Sequence, residues 1–321
     1  MPLAGSRARS AEALKAGRVT LDGAPVGLGD ASREVAAGQR LALLTATGQT
    51  GRKALAARRV LEPHGIVILH EDTSLIAVLK PAGLLSTAAT FQQKKQEANA
   101  HDVVGEYLVA RHGEGATCHV VHRIDRDTSG VLLFACTPEA EVHLRDQFAA
   151  HTPERVYWAI VAGSPAPRGT DPRRATVGGH WENWMRWDAE TNRQLPTPPD
   201  APEASLARAA WRWLGSTWNP DADAQPAAVS LLEVRLETGR RNQIRLQAAL
   251  AGHPLIGERQ YHPPRGAVRP TLPANLPATA RQALHARSLT VTHPEREAPV
   301  TFTAPPPPDL AKLLKYIGFH A

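Results

Sequence analysis

Apolar positions fall mostly into short alternating or continuous runs, with fewer helical stripes. Val131-Leu132-Leu133-Phe134-Ala135 is continuous and bounded by Gly130, the pattern of a strand buried on both faces. Leu232, Val234 and Leu236 alternate with Glu233, Arg235 and Glu237, predicting a half-buried strand over 230–237. Ile66–Leu69 and Leu75–Leu79 flank Glu71-Asp72-Thr73-Ser74 and predict an antiparallel hairpin. Lys80-Pro81-Ala82-Gly83 forces a turn after it. Further strands are predicted over 155–161 and around Leu289 and Val291.

Helical spacing appears from Asp102 to His112, where Val103, Tyr107 and Ala110 stand beside Val104 and Leu108. Thr137-Pro138-Glu139 starts a helix to about Ala150, with a capping hydroxyl, then proline and an acid in the first turn. Arg241–Ala251 predicts a helix stopped by Gly252, with Ile244, Ala248 and Ala251 on its buried stripe. Arg241 and Arg245 share another face near the positive end of the dipole, which costs stability unless an acid or phosphate meets them. A last helix runs from Asp309 to Gly318. Phe91–Asn99 is polar and reads as a mobile loop, and 163–225 as an irregular segment broken by proline and arginine. Strands outnumber helices and many neighbours are antiparallel, so the fold class is α+β.

The first 48 residues read as a small module. It has a helix from Ser10 to Ala16, a strand over Arg18–Leu21, a hairpin turn at Asp22-Gly23 and another strand over 38–43. Residues 49–64 read as a linker and 65–321 as the main domain; 321 residues accommodate about two domains at ~100–200 residues each. All seven tryptophans lie between 158 and 218, interleaved with Arg174, Arg186 and Arg212. Indoles there either stack unpaired bases or pack an extended hairpin against the core, and the packing reading is preferred.

A hydrophobic share of 42% and a charged share of 21% are those of an ordinary soluble chain, and no run reaches the ~18–20 apolar residues of a membrane span. Met1–Ser10 lacks the apolar core of a signal peptide, and Cys118 and Cys136 make no disulfide framework, so a reducing cytoplasm is expected. A formal charge of +6, carried largely by arginine, suits an anionic partner such as nucleic acid.

The densest chemistry is His122-Arg123-Ile124-Asp125-Arg126-Asp127-Thr128-Ser129-Gly130, running straight into the apolar strand. It is either a salt-bridged loop or a catalytic aspartate with its supporting groups. Cys118, His119 and His122 lack a second ligand pair, so no metal is expected. Neither a phosphate-cradling glycine loop nor Gly-x-Ser-x-Gly is present. Carboxylate chemistry remains, as nucleophile, general base or stabiliser of positive charge at a sugar carbon. Arg245 and Tyr157 are candidate partners for Asp125. A glycoside hydrolase using Asp125 with Asp127 is one rival, but the surrounding arginines would lower both pKa values and leave no raised acid.

These residues resemble the RluA family of RNA pseudouridine synthases. The segment 122–135 is similar to its catalytic motif, and Ile68–Asp72 through Val78–Gly83 to its opening hairpin. Arg155–Gly163 resembles its tyrosine strand, Thr238–Arg245 with Gly252–Gly257 its arginine motif, and Leu284–Ala286 with His293-Pro294 its closing strand. The likeness covers roughly 65–317. It implies a largely antiparallel mixed sheet with flanking helices around a central cleft. The residues before it resemble the latter half of an S4 RNA-binding domain.

The resemblance implies isomerisation of specific uridines in ribosomal or transfer RNA. The base is flipped out, N1–C1′ is broken and C5–C1′ is formed. It implies that Asp125 acts at C1′ or on the C2′ proton, that Tyr157 assists at C5, and that Arg245 pairs with Asp125. Arg123 would fill the space left in the RNA stack, and His122, Arg126, Thr128, Arg240, Arg241 and Asn242 would contact RNA. Substrate and product have the same atoms, so no cofactor or metal is implied, and a monomer is expected. Asn242 and Gln247 stand where the family has histidine, Leu79 where it has asparagine, and Glu258 where it has aspartate. The remaining alternative is a non-catalytic RNA-binding protein that keeps the fold.

Overall fold

The structure is a computed structural model that describes residues 57–166, 177–217 and 227–319, together with 10, 11, 13, 14, 19–21, 24–26 and 41–43. Strands β1 (Val19–Leu21), β2 (Ala24–Val26) and β3 (Leu41–Leu43) form an antiparallel sheet in the order β2-β1-β3. Leu21 stands opposite Ala24, while the turn expected at Asp22-Gly23 lies outside the described residues. The helix expected over Ser10–Ala16 is described only in part.

The main domain is one mixed sheet of eleven strands. In chain order these are β4 (Val67–Glu71), β5 (Leu75–Lys80), β6 (His119–Val120), β7 (Ser129–Ala135), β8 (Glu154–Ala162), β9 (Gly178–Asp188), β10 (Arg193–Pro196), β11 (Ser205–Ser216), β12 (Val229–Leu236), β13 (Leu284–Thr292) and β14 (Pro299–Thr303). The spatial order is β10-β9-β11-β12-β8-β13-β7-β5-β4, with β14 beside β13 and β6 beside β7. Among these pairings only β13 with β7 is parallel. The expected α+β class with a largely antiparallel mixed sheet is therefore what the chain adopts.

Burial explains the apolar pattern. Leu132 and Phe134 of β7 enter one core and Val131, Leu133 and Ala135 the core on the other face, so the strand has no solvent side to keep polar. Helix α2 (Ala100–His112) packs Val103, Val104, Tyr107 and Leu108 on the first core, and α3 (Pro138–Ala149) packs Ala140 and Leu144 on the second. Side chains of this size each stabilise by about 1.5–3 kcal/mol when fully buried. Helix α4 (Gln243–Leu250) lies beside β8 and β12 through Ile244 and Ala248, and α5 (Pro308–Ile317) covers their other face.

Four expectations are corrected. Phe91–Gln96 is a helix, α1, because the Thr90 hydroxyl accepts from the Gln93 amide at 3.1 Å and caps it. Residues 57–64, read as the end of the linker, are helical and bury Ala57 and Leu61 in the first core. The segment read as irregular contains β9, β10 and β11, and its preferred packing reading holds for the buried Trp181 and Trp213. Arg174 and Trp218 lie outside the described residues. Ala251 is exposed, since it caps α4 rather than continuing its stripe.

Candidate active site

Asp125 sits in the loop between β6 and β7, and the backbone on both sides of it is pinned. The Ser86 hydroxyl donates to the Ile124 carbonyl (2.7 Å) and accepts from the Ile124 amide (3.1 Å). The Arg126 carbonyl accepts from Lys80 Nζ (2.8 Å) and the Gly83 amide (3.0 Å). Arg281 Nη1 donates to the Asp127 carbonyl at 2.9 Å. Gly130, at φ +126°, allows the next step: a Cβ there would lie 2.2 Å from the Ala286 carbonyl, so only glycine lets β13 approach the catalytic loop.

Lys80 is completely buried and gives Nζ hydrogen bonds to the carbonyls of Pro81, Leu84 and Arg126 at 2.7–2.8 Å. Burial pushes its amine down to about 7, opposed by the Asp127 and Asp125 charges. Read as a turn residue in the sequence, it ties that turn to the aspartate loop. Lys80→Met strands three acceptors, so it is expected to lower stability by about 3 kcal/mol in urea denaturation and to reduce kcat. An unchanged midpoint would mean that the loops hold without it.

Arg245 projects from the first turn of α4 and meets an acid, as its position in the helix dipole demands. That acid is Glu258: Nε and Nη2 each donate to one of its oxygens at 2.7 Å. Asp125 Oδ2 lies 3.9 Å from Nη1, a charge contact beyond hydrogen-bond range. Glu258 is almost wholly buried, and its Oε1 also accepts from the amides of Arg259 and Gln260. Gly257, at φ +76°, sets it there, because a Cβ at that position would meet the Arg281 carbonyl at 2.1 Å. Asn242 completes the support: Oδ1 accepts from Arg245 Nη1 (3.2 Å), and Nδ2 donates to the Tyr261 hydroxyl (2.9 Å).

Asp125, Arg245 and Tyr157 line one cavity of about 260 Å³. Burial pushes the Asp125 carboxyl above its ordinary range, against the opposing charges of Arg245, Arg241, Arg123 and Lys80. Burial also pushes the Tyr157 phenol up to about 12, with Arg155 opposing and Asp125 reinforcing the shift. The Tyr157 hydroxyl has no hydrogen-bond partner among the described residues. Ile124, Phe148, Leu236, Ile244 and Leu284 supply apolar walls, the kind of setting that holds a flat ring.

The other expected RNA contacts separate by environment. Arg123 is exposed at the cavity mouth without a partner among the described residues. Arg241 is exposed, with its guanidinium 3.7 Å from the Trp187 ring. Arg240 donates Nε to the Leu206 carbonyl at 3.1 Å. Arg126 pairs with Glu97 at 2.6 Å. Thr128 is buried against the cavity with an unpaired hydroxyl. His122 lines the cavity, stacked on Phe148 at 4.7 Å, with Nε2 accepting from the Leu133 amide. Burial lowers it to about 3, so it is neutral at physiological pH. The Asp127 carbonyl helps to hold the loop, and its carboxylate makes no hydrogen bond among the described residues.

Among the described residues no group of three or more metal-ligating side chains is assembled, and no helix is long and apolar enough to cross a membrane. Comparison with known proteins gives a consistent picture. The RNA pseudouridylate synthase family matches residues 74–250. An uncharacterised RNA pseudouridine synthase of Synechocystis sp. is 35% identical over 256 residues, covering 78% of this chain and 68% of its own. The ribosomal large subunit pseudouridine synthase D of Pseudomonas aeruginosa is 32% identical over 321 residues, covering 97% and 88%. The solved structure of human RNA pseudouridylate synthase domain containing 4 superposes with a TM-score of 0.59 at 20% identity, over 84% of this chain and 98% of that one.

Proposed function

The chain belongs to the RNA pseudouridylate synthase family, and we propose on that premise that Asp125, Tyr157 and Arg245 carry its isomerisation of uridine to pseudouridine in RNA. The reading rests on one observation: these three side chains face a single apolar-walled cavity, with the phenol unpartnered. The flipped uracil enters between Tyr157 and Asp125. Asp125, as carboxylate, either attacks C1′ or takes the C2′ proton; each route frees N1 and leaves a sugar carbon ready for C5. Tyr157 assists the loss of the C5 proton after C5–C1′ forms. Arg245 holds positive charge beside Asp125, while Arg123 takes the place of the extruded base in the stack.

The RNA is a structured one, ribosomal or transfer, met by Arg123, Arg240 and Arg241 at the mouth and by Arg126 beside them. His122, Thr128 and Asn242 support the cavity wall from within. The protein acts as a cytoplasmic monomer without cofactor or metal. Residues 1–48 form an S4-like module, 49–56 join it, and 57–321 make the catalytic domain.

Tritium release from 5-³H-uridine RNA tests the reading, since the C5 proton leaves only if C5–C1′ forms. The pH profile tests the assignment of groups. Activity needs ionised Asp125, so it is lost as pH falls through that group's pKa. Burial raises this pKa, and the acid limb of kcat/KM is expected above the ordinary aspartate value of about 3.9. Arg245→Met removes a lowering charge and is expected to move that limb higher. Tyr157, pushed up to about 12, stays protonated and gives no alkaline loss below about pH 11. An acid limb at or under the ordinary value would remove Asp125 from the role.

A further inference from the structure

Asp125 and Arg245 form part of a wall between two cavities. The second, of about 340 Å³, shares Arg123, Ile124, Asp125, Asn242 and Arg245 with the first but has neither Tyr157 nor Phe148, Leu236, Ile244 and Leu284. It is larger than the cavity that must hold a uracil. Its outer side is built of carboxamides: Gln93 from α1, Asn192 from the β9–β10 turn, Gln260 after Glu258, and Gln282 before β13. Arg241 lines its rim.

Gln282 is the informative member. It is only 5% exposed, lines this cavity, and its carboxamide has no hydrogen-bond partner among the described residues. Its unpaired carboxamide keeps access to the space it lines, where a ligand edge carrying both a donor and an acceptor can pair with it. Arg123, which makes no hydrogen bond or ion pair among the described residues, and Arg241, which lies on Trp187, line this space together with the carboxylates of Asp125 and Asp127. Asn192, held at φ +52°, accepts from Arg241 at 3.4 Å, and its carbonyl accepts from Gln260 at 3.2 Å. Gln260 in turn accepts from Arg245 at 3.4 Å, so the far side of the cavity is joined to the catalytic pair.

We propose that this second cavity binds the nucleotide next to the target uridine, with Gln282 reading the edge of its base and Arg241 meeting its phosphate. This rests on the synthase reading above. Adenine's adjacent N6 donor and N7 acceptor match a carboxamide in a paired contact; the Watson–Crick edges of the other unpaired bases also carry a donor beside an acceptor, and adenine, the usual partner of a carboxamide, is the base expected. The site therefore makes sequence choice part of the cleft itself, one nucleotide from the reacting base.

The target uridine is first identified by comparing pseudouridine maps of cells with and without the chain. No difference between the maps would sink the synthase reading itself. Transcripts spanning the target then carry each of the four bases at each flanking position. Wild-type protein is expected to favour adenine at one flank by about tenfold in kcat/KM, the low end of what a paired base contact supplies. Gln282→Ala should compress the four rates to within about twofold, and Gln282→Glu should move the preference towards cytosine, whose N4 donates to a carboxylate. Ratios within one variant cancel any loss of folded protein. Equal wild-type rates at both flanks, or a preference that both variants keep, would overturn the proposal, and a preference for another base would overturn the adenine assignment.

Discussion

Asp125→Asn is expected to lower tritium release from 5-³H-uridine RNA by at least about 10³-fold while leaving RNA affinity within about twofold of wild type. Asparagine keeps the size of the side chain and removes the anion that must attack carbon or accept a proton. The fold should not suffer. The Asp125 carboxylate makes no hydrogen bond among the described residues, and its loop is held through neighbouring carbonyls by Ser86, Lys80, Gly83 and Arg281. Burial already disfavours its charge, so the variant should melt at or above the wild-type temperature. Rates and filter-binding affinities measured on one RNA separate the two effects. A variant within tenfold of wild-type turnover would remove Asp125 from the catalytic role.

Much of this site was legible because local pattern and local chemistry agreed. An apolar run after Gly130 could only be a strand buried on both faces, which placed Asp125 at the mouth of a core element. The dipole argument for Arg245 was correct in form, since an acid does meet it, yet the acid was not identifiable from spacing. Glu258 lies thirteen positions along, beyond α4 and a glycine turn, and only the three-dimensional course of 251–258 brings it back. Lys80 was missed because a lysine beside Pro-Gly ordinarily points to water. Its burial depends on carbonyls from two loops 46 residues apart. Strands β9 and β11 were legible only as the extended hairpin expected to carry the tryptophans, because their alternation is interrupted by glycine, tryptophan and arginine, and their stability comes from pairing with each other and with β12 rather than from local apolar content. Asn242 looked like a contact for RNA on the basis of its motif position. Its burial and its bonds to Arg245 and Tyr261 make it part of the scaffold that aims the guanidinium.

Glu258→Gln should be the most destabilising single change in the cleft, by about 3–5 kcal/mol, because it leaves the Arg245 charge buried without its principal partner. Glutamine still accepts from the amides of Arg259 and Gln260, so the effect isolates the ion pair. A double variant, Arg245→Met with Glu258→Gln, is expected to regain most of that loss, with a coupling of at least about 2 kcal/mol in urea denaturation. Its turnover should stay as low as that of Arg245→Met alone, since Asp125 has lost its neighbouring cation in both. Acid titration gives an independent check. Burial alone would raise the Glu258 carboxyl, but Arg245 and the backbone amides hold it below its ordinary range. A carboxylate depressed in the folded state contributes fully above its unfolded pKa of about 4.3, and the contribution disappears as pH falls through the folded value. Wild type should therefore lose stability over that acid range more steeply than the double variant. Additive single and double effects, or parallel acid curves, would mean that Glu258 does not hold Arg245 in place.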